Sequence, residues 1–197
     1  TVRLARIDLP GEKDPKFVVR TLEELLSDKT VDWDLKRMAE ITFADYLLLT
    51  GEIDREIDMA SGGMAQTDGT VYELYKRAYQ KGLYTKLNRY VTDKKFADAL
   101  SLYEREKKWL DGYGPETLRS VAGAYRGLGL YASANKLMDL YGTEAAKHST
   151  RSPSALVRSP QFRRDKATNS FARGAYEETL GFLEGNQDAR GSYMRVM

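Results

Sequence analysis

The chain has no cysteine and a single histidine among its 197 residues. Without a thiol there is no disulfide, no zinc–cysteine site, no iron–sulfur cluster and no cysteine nucleophile. His148 stands in a basic, irregular-looking segment, and no nucleophile or orienting acid can be assigned to it. Long apolar runs are missing too. The longest cluster is Tyr46-Leu47-Leu48-Leu49, far short of the ~18 apolar residues a membrane-spanning helix needs. No Gly-Lys-Ser/Thr phosphate loop, Gly-x-Ser-x-Gly elbow, His-Glu-x-x-His pair or dinucleotide fingerprint is present. Glu52, Asp54, Glu56 and Asp58 form i,i+4 carboxylate pairs on a helix. Calcium needs turn geometry and more oxygen ligands than that. These absences point away from an enzyme, a metal site, a cofactor and membrane insertion. They fit the cytoplasm and the periplasm equally.

Hydrophobic residues make up 42% of the chain and charged residues 30%, which is enough for a core and a solvated surface. The net charge of +2 hides an asymmetry. Residues 1–60 carry 9 Lys/Arg against 14 Asp/Glu, and residues 61–197 carry 22 against 15. The C-terminal part therefore suits acidic partners. The chain opens on Thr1 and closes on Tyr193-Met194-Arg195-Val196-Met197, a pattern like the start of another helix. Both ends read as a piece of something longer.

Apolar residues at helical spacing predict helices over 16–26, 33–50 and 53–60, then over 71–81, 83–92, 95–110, 115–128 and 131–141, and finally over 161–173 and 176–184. Asp32 is the expected N-cap of the second, and Gly51 and Gly82 are expected stops. Thr1–Leu9 alternates loosely and predicts a short extended arm before Pro10-Gly11. The organisation expected is N-terminal helices with a poorly preserved first repeat at 1–60 and a glycine-rich mobile loop at 61–70. Core repeats follow at 71–142, an irregular basic connector at 143–160, and a last repeat with the start of a further helix at 161–197.

Between Leu83 and Tyr141 the chain repeats itself. Phe96 and Tyr131, Ala99 and Ala134, and Tyr90 and Tyr125 are each 35 residues apart. A fixed period of that size with paired helices means stacked helix pairs, none of which buries its apolar face alone. Gly129-Leu130-Tyr131 with Ala134, after Leu118, Val121, Ala122 and Tyr125, resembles the tetratricopeptide-repeat (TPR) superfamily. Leu83, Tyr90, Phe96, Ala99 and Tyr103 make a second unit, with Leu87 in place of a small residue. Ala167, Gly174, Tyr176, Leu180 and Leu183 make a third, with Thr179 in place of alanine. Phe43, Ala44, Leu47, Gly51 and Ile53 make the weakest, with Glu56 at the small crossing position. The family's closing proline is missing, so the repeats are degenerate. The resemblance implies an all-α fold, a right-handed α-solenoid of antiparallel helix pairs.

Twelve of the thirteen tyrosines follow residue 71, mostly at repeat positions, which predicts packing roles for them. In a TPR-like array the first helix of each pair lines a concave groove. By register that face carries Lys81, Tyr84 and Asn88, then Glu116, Arg119 and Arg126, then Gln161, Arg164 and Thr168. Arginine forks suit carboxylates and amides suit a peptide backbone. The expected partner is another protein through an acidic or C-terminal peptide, with Lys81, Tyr84, Asn88, Arg119, Arg126 and Arg164 as contacts. The expected role is a non-enzymatic scaffold or adaptor, part of a larger chain or complex. The alternative is a pentatricopeptide-like RNA-binding protein, suggested by the shared period and by Lys147, Arg151, Arg158, Arg163, Arg164 and Lys166.

Overall fold

The computed structural model describes residues 14–148 and 159–183. The expected N-terminal arm, most of the expected connector (with Arg151 and Arg158) and the expected further helix lie outside the described residues. Every element among the described residues is an α-helix. They are α1 (Pro15–Ser27), α2 (Trp33–Thr50), α3 (Ile53–Ala65), α4 (Gly69–Thr92), α5 (Phe96–Tyr113), α6 (Glu116–Gly127), α7 (Tyr131–His148), α8 (Pro160–Ala172) and α9 (Tyr176–Leu183).

The chain divides into two compact units, Thr1–Lys86 and Leu87–Met197. In the first, α1 packs on α2 and α2 on α3. Asp14 caps α1 by accepting from the Lys16 N–H at 3.0 Å, and Pro15 occupies the first turn, where its missing N–H is harmless. Asp32 caps α2 by accepting from the Asp34 N–H, as the sequence predicts. The core joins Val18, Val19 and Leu22 of α1 to Ala39, Phe43, Tyr46 and Leu47 of α2. In the second unit α5 packs on α6, α6 on α7, α7 on α8 and α8 on α9. Its main core gathers Ala122, Ala134, Met138, Tyr141, Ala145 and Phe162, with Ala167 and Leu183 in a smaller cluster.

One turn design closes four helices. Gly51 (φ 85°), Lys94 (φ 60°), Gly129 (φ 77°) and Gly174 (φ 79°) each take the left-handed conformation. The next residue's N–H then reaches back five residues: Glu52 to Leu47 O, Lys95 to Tyr90 O, Leu130 to Tyr125 O and Ala175 to Ser170 O, all at 2.8–2.9 Å. This satisfies carbonyls that a helix end leaves unpaired. The following helices begin at once, on Ile53, Phe96, Tyr131 and Tyr176. Such short turns make each pair antiparallel. Three residues further on, Glu56, Ala99, Ala134 and Thr179 are all buried. The helices thus form consecutive antiparallel pairs of TPR-like design.

Three expectations about element bounds change. The glycine-rich loop at 61–70 is mostly helix: α3 continues through Gly62 and Gly63 to Ala65, and α4 starts at Gly69. A Cβ on Gly63 would lie 2.3 Å from the Tyr75 ring, so glycine serves packing there. Gly82 is no stop, because α4 runs through it as one 24-residue helix. And α7 extends past Gly142 to His148, helped by the Glu144–Lys147 pair at i,i+3. Residues 143–148 of the expected connector are thus helical.

Candidate peptide-binding face

The six nominated contacts fall in both units. In the first unit Lys81 Nζ lies 2.6 Å from Asp45 Oδ1, tying α4 to α2. Tyr84 is half-buried on the same helix. Beneath Lys81, Glu56 of α3 is fully buried, 0% exposed, and neither of its oxygens has a hydrogen-bond partner. It fits only because residue 82 is glycine: a Cβ there would meet Glu56 Oε2 at 1.7 Å. Burial, opposed by Lys81 and reinforced by Asp45, pushes the Glu56 carboxyl up to about 8.

A second polar cluster in that unit was not foreseen. Arg37 lies over the Trp33 ring at 5.1 Å and near the Tyr75 ring at 5.9 Å. It donates to Glu40 at 2.8 Å and to Gln66 Oε1 at 3.0 Å. Tyr75 donates to Glu40 as well. These bonds join α2 to the α3–α4 turn and to α4, so this arginine is committed to the fold.

The second unit holds the other four nominated residues. Asn88 Oδ1 accepts from Ser120 Oγ at 2.6 Å, linking the end of α4 to α6. Arg119 and Arg126 are seven residues apart, hence on one face of α6 and roughly 10 Å apart along it. Both reach Asp165 of α8. Arg119 Nε donates to Oδ2 at 3.2 Å, and Arg126 Nη1 and Gln161 Nε2 donate to Oδ1 at 3.4 and 3.2 Å. Asp165 is 8% exposed, whereas the two arginine side chains are about a third exposed or more. Each arginine thus spends one nitrogen on Asp165 and keeps other donors at the surface. Arg164 is exposed.

Register expects Asn88, Arg119 and Arg126 on a groove-lining face; the structure bonds each of them to a neighbouring helix, leaving them partly exposed. Register does not mark the groups that hold the nominated residues: Asp45 for Lys81, Ser120 for Asn88, and Asp165 for Arg119 and Arg126. Nothing local marks Asp165, which stands 46 and 39 residues from its arginines. Asp54 pairs with Lys86 at 2.5 Å and Glu52 with Arg55 at 3.2 Å, so the alternating acids of α3 do not converge. The basic tract also thins out: Lys166 is buried and bonded to Asp139 at 2.7 Å, with its Nζ 5.2 Å from the Phe182 ring centroid.

Packing and turn geometry together define a TPR-like helix-pair protein with no helix, among the described residues, long and apolar enough to cross a membrane. No protein-family model and no curated protein matches the chain. Among solved structures it is similar to a Podosopora anserina putative kinesin light chain of nearly identical TPR-like repeats, and to a single-substitution variant of that protein. Each is 16% identical, with a TM-score of 0.47, covering 92% of this chain and 89% of the other. At that score the class rests on the packing described above.

Proposed function

We propose that the chain is a non-enzymatic protein-interaction scaffold or adaptor. Within a multiprotein assembly, its α6–α8 face binds an acidic or C-terminal peptide segment. The observation that carries this reading is the Arg119–Asp165–Arg126 arrangement. A nearly buried carboxylate holds two guanidinium groups on one helix face and leaves their outer N–H groups at the surface. Held arginines lose little rotamer freedom when a second carboxylate arrives, and bidentate recognition suits them. Arg164, exposed on α8, adds positive charge to the same unit. Asn88, held by Ser120, offers its amide N–H groups to a peptide carbonyl.

The test uses short labelled peptides ending in two aspartates, compared with amidated and all-lysine versions. Arg119→Gln and Arg126→Gln are the informative variants. Charge reversal would set new carboxylates against Asp165 and disturb the seam itself. Each glutamine variant should weaken acidic-peptide binding by about tenfold, with the helical spectrum retained. Undiminished affinity in both folded variants would sink the reading. The RNA alternative retains fewer exposed cations than the tract suggested, because Lys166 points inward. Retention on single-stranded RNA that falls steeply with salt would restore it.

A further inference from the structure

The Glu56 carboxyl of the first unit takes no part in the arginine seam, and a second partner stands close to it. Its two oxygens make no hydrogen bond, although the side chain is fully enclosed. They lie against the backbone of α4, with Oε2 1.7 Å from where a Cβ on Gly82 would stand. The residue before Gly82 is Lys81, whose ammonium rides on a flexible four-carbon stem. That ammonium is turned outward, to Asp45 Oδ1 of α2 at 2.6 Å, and the two side chains are 47% and 60% exposed.

One cation thus has two acids to choose between, one in water and one in the crossing. Lys81 of α4 and Asp45 of α2 both act on Glu56, with opposite sign. The other acids of α3 are engaged elsewhere or solvated. Arg55 holds Glu52 and reaches Glu23 of α1, Lys86 holds Asp54, and Asp58 is exposed. While Glu56 keeps its proton the outward choice is sound, because burial penalises the charged form and spares the neutral one. Once the proton leaves, the balance reverses. An exposed ion pair contributes little, since water already solvates both charges. A buried carboxylate without a partner costs several times more. Moving Lys81 from Asp45 to Glu56 gives up the weaker pairing and relieves the larger cost.

We propose that Glu56, Lys81 and Asp45 form a proton-operated switch, in which loss of the Glu56 proton draws the Lys81 ammonium off Asp45 and into the crossing of α3 and α4. The exchange replaces a tie between α2 and α4 by one between α3 and α4. It also takes a cation off the surface and leaves Asp45 there alone. A partner docking over this face meets a neutral pair in the protonated state and a lone carboxylate in the ionised one. Proton concentration therefore sets the charge that this face of the first unit presents. The device does not depend on the Arg119–Asp165–Arg126 site.

Crystals of the wild-type chain grown at about pH 6 and transferred to about pH 9 test this directly, because lysine is still charged at the higher value. Lys81 Nζ should sit on Asp45 at the lower pH and within hydrogen-bond distance of a Glu56 oxygen at the higher. In Glu56→Gln it should stay on Asp45 at both. A double-mutant cycle of Glu56→Gln with Lys81→Met, read by chemical denaturation, supplies the energetic side. The coupling should be absent at about pH 6 and reach about tenfold in the unfolding constant at about pH 9. Lys81 remaining on Asp45 at the higher pH overturns the proposal. So does the same movement in Glu56→Gln, or a coupling equal at the two pH values. Loss of the helical spectrum at about pH 9 overturns it as well, since the crossing then opens and does not re-pair.

Discussion

The first unit and the second solve the same crossing problem in opposite ways. The repeated turn delivers one inward position to each pair, and in the second unit that position is Ala99, Ala134 or Thr179. In the first unit it is Glu56, and the missing space comes from α4, the helix after that pair, where Gly82 has no Cβ to offer. A close crossing constrains the sum of two side-chain volumes, not either one. Chemistry then separates the solutions. An alanine buries no polar atom, while Glu56 buries two oxygens without a hydrogen-bond partner, which is expensive whether the group is neutral or charged.

The largest expected effect comes from exporting the first unit's solution. Ala134→Glu places a carboxylate in a crossing without a compensating glycine, inside the core with Met138 and Tyr141. Unfolding free energy should drop by about 3–5 kcal/mol, the range for an unpaired buried charge. Chemical denaturation measures it, and a loss under about 1 kcal/mol would show that this crossing has slack. Next comes Gly82→Ala, which puts a methyl group into the Glu56 carboxylate and should destabilise by about 2–3 kcal/mol. Adding Glu56→Ala to it should recover most of that loss. Failure to recover would mean that Gly82 serves something other than Glu56.

Protonation sharpens the comparison further. Glu56 titrates near 8 when folded, above the ordinary carboxylate value of an unfolded chain. Between those values the folded protein holds a proton that the unfolded chain has lost, so stability falls as pH rises through this window. Above the folded value the loss is complete. The change should be of order a few kcal/mol between pH 5 and pH 8. Lys81, paired with Asp45 over the site, moderates it. Glu56→Gln should flatten this dependence, leaving the variant near wild type at pH 5 and more stable by about 1–3 kcal/mol at pH 8. Denaturation midpoints across the window decide. A wild-type profile already flat there would mean that Glu56 finds water or a partner.

The same contrast explains what could be read in the sequence. The 35-residue offset was visible because turn, aromatic and alanine recur as local features, and each has one structural meaning. Glycine has several. Gly51 and Gly129 stop helices through a left-handed conformation, whereas Gly63 and Gly82 sit inside helices so that Tyr75 and Glu56 can approach. Only the side chain opposite distinguishes the two uses, and it lies on another helix. In the sequence Glu56 is the wrong residue for its crossing position and Gly82 reads as a helix stop, and nothing local joins the two. That Arg119 and Arg126 share one face follows from their spacing, because α6 alone sets it. Asp165, which fixes it, belongs to a different pair.

Lys94 gives the smallest effect and the finest test of the turn itself. It occupies the left-handed position that glycine fills at 51, 129 and 174, with the same backward hydrogen bond following it. A side chain there costs about 1–2 kcal/mol against the right-handed alternative. Lys94→Gly removes that strain but adds freedom to the unfolded chain, which returns part of the gain. A net stabilisation of about 0.5–1 kcal/mol is expected, read as a higher denaturation midpoint with an unchanged slope. The reciprocal change, Gly129→Ala, should lose about 1 kcal/mol for the same reason. Equal and opposite responses would show that the two turns are energetically one element despite their different residues. A loss on Lys94→Gly would mean that the lysine side chain contributes a contact worth more than the strain.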